Sequence, residues 1–198
     1  FTTGLKLLAK LTEGDTFLCA KPGSVASKLA PEGVRVEEFS GPHPSGTTGY
    51  HIHTLAPVTR QRVVWSIGYQ DVIAVAALFQ TGRLDVARVI ALAGPPLEDP
   101  RLLPTRLGAS TNELVGDEVP VPDCRLVSGP VLSGKKAVGE IFGYLGRHHV
   151  QISVLKEGHE RKFLGWLMPG MKMFSVTGVF LSKFFAPKAR YAFDTSTH

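Results

Sequence analysis

VVWSIGYQDVIAVAALFQTGRLDVARVIALA, residues Val63–Ala93, is the stretch that decides the fold class. Val63 to Ile67 is β-branched and aromatic and reads as a strand. Gly68 leads into Tyr69–Thr81, whose apolar residues Val72, Val75, Ala76 and Phe79 recur at helical spacing, and Gly82 supplies the stop. Tyr69-Gln70-Asp71 forms a polar start to that helix, with Asp71 complementing its dipole. Val86 to Ala93 is a second, continuously apolar strand. Strands of this buried kind separated by a helix predict an α/β module with both sheet faces covered, in a Rossmann-like layer arrangement.

The flanking sequence extends the pattern. Upstream, Leu5, Leu7, Leu8 and Leu11 give Thr2 to Leu11 a helical face that Glu13-Gly14-Asp15 closes. Thr16 to Ala20 reads as a buried strand, Val25 to Leu29 as a short helix, and Val34 to Phe39 as an alternating strand. Downstream, Gly94-Pro95-Pro96 ends the Val86–Ala93 strand and a proline-rich connection runs through Pro104. Ser110 to Glu113 (STNE) fits a capping box. The acidic, proline-containing run 117–123 is taken as the boundary, giving a first domain over 1–120, a second over 121–187 and a tail over 188–198.

The second domain changes character, with short strands expected at Arg125 to Ser128, Val150 to Lys156, Lys162 to Met168 and Met173 to Val179, and one helix near Val138 to Leu145. Glu157-Gly158 has the composition of a tight turn between the second and third of these strands. Four short strands and one helix predict a small α+β domain of the β-grasp type.

Composition narrows the function classes. At 198 residues, 43% hydrophobic and 20% charged, the chain is globular rather than disordered. Its longest apolar run, Val72 to Phe79, falls well short of the roughly 18 residues a membrane helix requires. Residues 1–123 carry 11 Lys and Arg against 13 Asp and Glu, while 124–198 carry 11 against 4. The two parts are therefore at −2 and +7, and the basic one is suited to an acidic partner protein, nucleic acid or anionic headgroups. Lys135, Lys136, Arg147, Arg161 and Lys162 supply much of that charge. They lack the interleaved aromatic platforms of a nucleic-acid surface, and no nucleic-acid partner is expected. Cys19 and Cys124 have no metal or redox spacing and read as reduced thiols. The chain opens on Phe1 and is expected to be a fragment.

The candidate ligand loop is Ser40 to His53, SGPHPSGTTGYHIH. Its glycines permit unusual backbone angles and its prolines remove amide donors, which predicts a shaped loop. Gly41, Gly46 and Gly49 fit neither the dinucleotide fingerprint nor a phosphate-gripping GxxxxGK. His51 and His53, taken as i and i+2 on a strand, would share a face, but no third ligand accompanies them and His43 lies across a Pro-Gly segment, so no metal site is expected. Histidines that tie the loop to its surroundings, or that donate to a ligand carbonyl, are the remaining readings. No GxSxG elbow surrounds Ser128 or Ser133, and no catalytic residue is assigned.

Several segments, in order, resemble one family: Gly41-Pro42-His43-Pro44 with Gly46, Gly49 and His51-Ile52-His53; Val64-Trp65 and Tyr69 to Ala74; Ala91 to Pro95; Ser128-Gly129 with Leu132 and Gly134; Tyr144 to Arg147; and Val154 to Gly158 with Gly165-Trp166. The series is similar to the A subunit of the Na+-translocating NADH:quinone reductase, a bacterial respiratory complex. That resemblance implies a Rossmann-like domain followed by a β-grasp domain of the soluble-ligand-binding type, with a further domain before Phe1 and a helical region after His198. It implies a peripheral position on the cytoplasmic side of the inner membrane, ubiquinone as substrate of the complex, no iron–sulfur cluster, and NADH and flavins handled by other subunits, with no cofactor bound in this segment. Under it, His43, Gly46, Gly49, His51, His53 and Tyr69 are candidates for a quinone-facing or interface cleft. Lys135, Lys136, Arg147, Arg161 and Lys162 are candidates for partner docking. A purely structural docking module and a stand-alone flavin- or dinucleotide-binding protein are the alternatives.

Overall fold

The chain divides between Val86 and Ala87 in the computed structural model, which describes residues 1–119, 123–159, 163–186 and 191. The unit of residues 1–86 contains helix α1 (Thr2–Leu8), strand β1 (Thr16–Ala20), a single 3-10 turn at Ala26–Leu29, strand β2 (Val34–Glu38), helix α2 (Thr48–Leu55) and helix α3 (Tyr69–Thr81). β1 and β2 pair in parallel, from Thr16 opposite Val34 to Ala20 opposite Glu38. Parallel neighbours require a crossover, and residues 21–33 provide it. Leu5, Val34 and Val72 form the small core, with Phe1, Leu8 and Leu18 packed against it. At the α1–α3 crossing a Cβ on Gly4 would lie 2.2 Å from the Val72 carbonyl oxygen, so only glycine lets the helices meet there.

α3 has the bounds its sequence predicts, and Gly82, at φ 71°, closes it by donating its N–H to the Leu78 carbonyl at 2.8 Å. Its buried face differs from the expected one: Val72, Ala74 and Ala76 are buried, whereas Phe79 is 69% exposed. Two other expectations are corrected here. Val63 to Ile67 forms no strand, since a strand exists only through a ladder partner and none meets it among the described residues; Trp65 is 85% exposed. The second half of the predicted loop, from Thr48, is helical.

The unit of residues 87–198 is built on a five-stranded mixed sheet of order β4-β3-β7-β5-β6. Its strands are β3 (Ala87–Ala93), β4 (Arg101–Arg106), β5 (Cys124–Ser128), β6 (Lys135–Lys136) and β7 (Gln151–Lys156). β3 runs antiparallel to β4 and parallel to β7, and β5 runs antiparallel to both β7 and β6. The sheet therefore unites strands that the sequence places on opposite sides of a boundary at 117–123. Pairing across long sequence separation has no local signature. Helices α4 (Thr111–Val115), α5 (Gly139–Phe142) and α6 (Ser182–Phe185) are short. The core joins Ile90, Leu92, Leu126, Ile152 and Val154 to Leu97, Val115 and Leu145.

The Ser110 cap is present, with its Oγ accepting the Glu113 N–H at 3.5 Å. β4 replaces the irregular proline-rich connection expected through Pro104; it is an edge strand, where proline's missing N–H is tolerated. The helix expected near Val138 to Leu145 contracts to α5. Among the described residues no hairpin follows Glu157-Gly158, and the partners of β7 are β3 and β5. Gly165–Leu167 is a 3-10 turn instead of part of a strand, and Met173 to Val179 is irregular, with one turn closed by the Gly178 N–H on the Ser175 carbonyl at 3.1 Å. Residues 120–122 at the expected boundary, Arg161 and Lys162 at the start of the expected strand, and all of the 188–198 tail except Tyr191 lie outside the described residues.

Candidate functional site

The candidate residues fall into two groups, one in each unit. In the first, the loop leading to α2 is tied by its own side chains. Ser45 Oγ donates to the Gly41 carbonyl at 2.9 Å and Thr47 Oγ1 to the Pro44 carbonyl at 2.8 Å. The His43–Pro44 peptide is cis. His51 Nε2 lies 2.8 Å from the Ser45 carbonyl oxygen. A carbonyl only accepts, so Nε2 carries the proton and donates. The His51 ring also packs on Phe39, with centroids 4.1 Å apart, and Tyr50 meets the same Phe39 edge-on at 6.0 Å.

The expectation that His51 and His53 share a strand face is corrected. On α2 two residues advance about 200° around the axis, so the side chains diverge. His51 is half-buried and His53 exposed, as are His43, Gly46 and Gly49. Tyr69 is exposed at the start of α3, its hydroxyl accepting from Gln70 Nε2 at 3.3 Å. Among the described residues no hydrogen bond or ring contact joins Tyr69 to the loop. No group of three or more His, Cys, Asp or Glu among them is placed to hold a metal ion. Burial raises the thiol pKa of Cys19, with Glu37 adding to it, and burial and Asp123 raise that of Cys124, so neither is an activated nucleophile.

The second group centres on a buried serine. Ser128 ends β5, and its cross-strand partner is Lys135 on β6; Lys136 stands opposite Val127. Ser128 Oγ accepts the Gly146 N–H at 2.9 Å and lies 2.8 Å from His149 Nδ1. Gly146 and His149 bracket Arg147 and His148. A single hydroxyl thus ties the strand pair bearing Lys135 to the loop bearing Arg147 and His148. The imidazole fits a niche made by two glycines: a Cβ on Gly146 would lie 2.4 Å from His149 Nδ1, and one on Gly129 2.9 Å from its Cδ2. Burial first, then the charges of Lys135 and His148, lower the His149 pKa. Ser128 and His149 have the separation of a nucleophile and base, but Ser128 is 2% exposed and its oxygen is already engaged, so the contact is a tie and not a reaction centre. Sequence patterns for nucleophiles pass over this pair; the legible signal is the glycine beside each partner, at 129 and 146.

Further along β5, Arg125 Nε donates to Glu157 Oε2 at 2.9 Å, and its Nη2 reaches Glu157 Oε1. That Arg125–Glu157 fork clamps β5 to the end of β7. Arg161 and Lys162, the other docking candidates, lie outside the described residues. No helix is long and apolar enough to cross a membrane among the described residues.

Two family models match. One, described as the NqrA second alpha/beta domain, covers residues 1–84, and the other, the NQRA C-terminal domain, covers residues 89–139. Their junction coincides with the structural division between Val86 and Ala87. Curated relatives match along the whole chain. A protein of Shewanella denitrificans, named as the A subunit of a Na(+)-translocating NADH-quinone reductase, is 50% identical over 197 residues, which is 100% of this chain and 43% of the relative. The proteins of the same name from Marinomonas sp. and Cellvibrio japonicus are 49% and 47% identical, again over 100% of this chain and 43% and 44% of their own lengths. The chain thus spans less than half of the length of these relatives.

Proposed function

The chain belongs to the NqrA family, the A subunits of Na(+)-translocating NADH-quinone reductases, and from that premise we propose that it serves the complex as a docking and quinone-interaction segment of its peripheral subunit. The complex itself oxidises NADH, reduces quinone and exports sodium. This segment holds no cofactor of its own; NADH and flavins are handled by partner subunits, and the protein lies at the cytoplasmic face of the membrane through those partners. The fold is read as a piece of a Rossmann-like layer in residues 1–86, from its parallel β1–β2 pair and covering helices, and as a β-grasp-type domain in the remainder.

The observation that carries the docking role is the arrangement around Ser128. Lys135 from β6 and Arg147 and His148 from the loop before β7 are joined through one buried hydrogen-bonded centre. Two cations, Lys135 and Arg147, held on one support favour an acidic protein surface by electrostatic complementarity. Charge reversal at Lys135 and Lys136 in the full-length protein tests this. Less assembled complex should be recovered at low salt, and recovery equal to the parent would refute the docking role.

The quinone role falls to the Ser40–Leu55 segment with Tyr69. His51 commits its Nε2–H to Ser45, so within this reading the donor to a quinone carbonyl is His53, with His51 holding the loop in shape.

A further inference from the structure

Ser128 has one hydroxyl proton, and where it goes fixes the state of His149. The Ser128 oxygen accepts the Gly146 amide, so Gly146 N–H takes one of its lone pairs. Were His149 Nδ1 protonated as well, it would donate to the second lone pair, and the Ser128 proton would have to find another acceptor. No other acceptor meets Ser128 Oγ among the described residues, and the residue is buried. An orphaned buried hydroxyl is costly, so the proton lies on the line to His149 Nδ1 and the imidazole is neutral with its proton on Nε2.

We propose that Ser128, Gly146 and His149 form a proton-operated latch, in which neutral His149 closes the 146–149 turn onto the end of β5 and protonated His149 releases it. Protonation turns Nδ1 from acceptor to donor. The hydrogen bond from Ser128 must then break or reverse, and reversal strands the serine proton. Gly129 and Gly146 crowd the part-exposed ring on two sides, since a Cβ on either would overlap it. Relief therefore comes from movement of the loop, which takes the Gly146 N–H off Ser128. The charged groups acting on His149 are Lys135 on β6 and His148 beside it, both of which oppose its protonation. No carboxylate is among them.

His149 has a lower pKa in the closed loop than in an opened one, so closure binds fewer protons than opening. The closed state is fully favoured above the ordinary imidazole value and is lost as pH falls through the lowered one. The loop carries Arg147 and His148 to Lys135, so the latch regulates the docking face; this consequence rests on the docking reading, whereas the latch does not.

The test is imidazole and amide NMR on the intact chain between about pH 8 and about pH 5. At the upper end His149 should be the Nε2–H tautomer, and the Gly146 amide should exchange slowly. Passing through the His149 midpoint should lower Gly146 protection at least about tenfold beyond the intrinsic pH effect. Ser128→Ala should raise the His149 midpoint. His149→Phe, which fills the niche without an acceptor, should make Gly146 protection, after the intrinsic pH effect is removed, independent of pH and covers the case in which Ser128→Ala does not fold. An Nδ1–H tautomer, or Gly146 protection that ignores the titration, overturns the latch. If the latch behaves as described but charge reversal at Lys135 and Lys136 leaves assembly unchanged, the docking reading falls and the latch stands.

Discussion

Gly94 presses its backbone against Val154 so closely that a Cβ at residue 94 would lie 1.9 Å from the Val154 carbonyl oxygen. The contact seats the end of β3 on β7, the one parallel pairing in the five-stranded sheet. Val154 is fully buried, and its backbone cannot retreat without opening the core it shares with Ile90 and Leu92. Gly94→Ala is therefore expected to lower stability by about 1–3 kcal/mol through overpacking alone. A denaturant midpoint equal to the parent's would show that the sheet yields at this point.

His51 and His53 separate in their expected effects. His51→Ala removes a hydrogen bond to Ser45 and a ring contact with Phe39, at a cost of about 0.5–1.5 kcal/mol from the hydrogen bond. It should loosen residues 41–55 in hydrogen exchange and weaken quinone binding indirectly. His53→Ala should leave exchange unchanged and weaken binding directly. Titration of the full-length protein with a short-chain ubiquinone distinguishes them, and unchanged affinity in both variants would remove the loop from the quinone site.

The Arg101 guanidinium forks onto Glu118, with one N–H···O contact at 2.8 Å. That hydrogen bond, followed by the charge of Arg101, lowers the Glu118 pKa. The contribution is present above the ordinary carboxylate value and is lost as pH falls through the lowered one. Arg101→Met should return the Glu118 titration to the ordinary range, read as the carboxylate carbon shift against pH. A Glu118 midpoint that stays low in the variant would assign the shift to some other neighbour.

Local signals in the sequence are legible where short-range physics decides the outcome. α3 begins after Gly68 and stops at Gly82 because glycine takes the left-handed turn there, β1 has the bounds of its apolar run, and Ser110 caps α4. The family is legible too, from the order of segments between Gly41 and Trp166. Departures occur where a distant partner decides. Val63–Ile67 has strand composition without a ladder, Arg101–Arg106 is a strand in spite of Pro104, and the sheet crosses the acidic run expected as a boundary. At the candidate sites, the helical start at Thr48 overrides Gly49 and sends His51 and His53 apart, while the Ser128–His149 tie joins residues 21 apart in sequence with no shared motif.

The docking role is tested most directly by the affinity of the full-length protein for the remainder of its complex, measured against salt for the parent and for Lys135→Glu with Lys136→Glu. Surface charges act over a Debye length of about 10 Å at about 0.1 M salt, so the parent's affinity should fall as salt rises. The double variant should bind roughly tenfold more weakly at low salt, with the two curves converging at high salt. Parallel curves with no gap at low salt would contradict a docking face centred on Lys135.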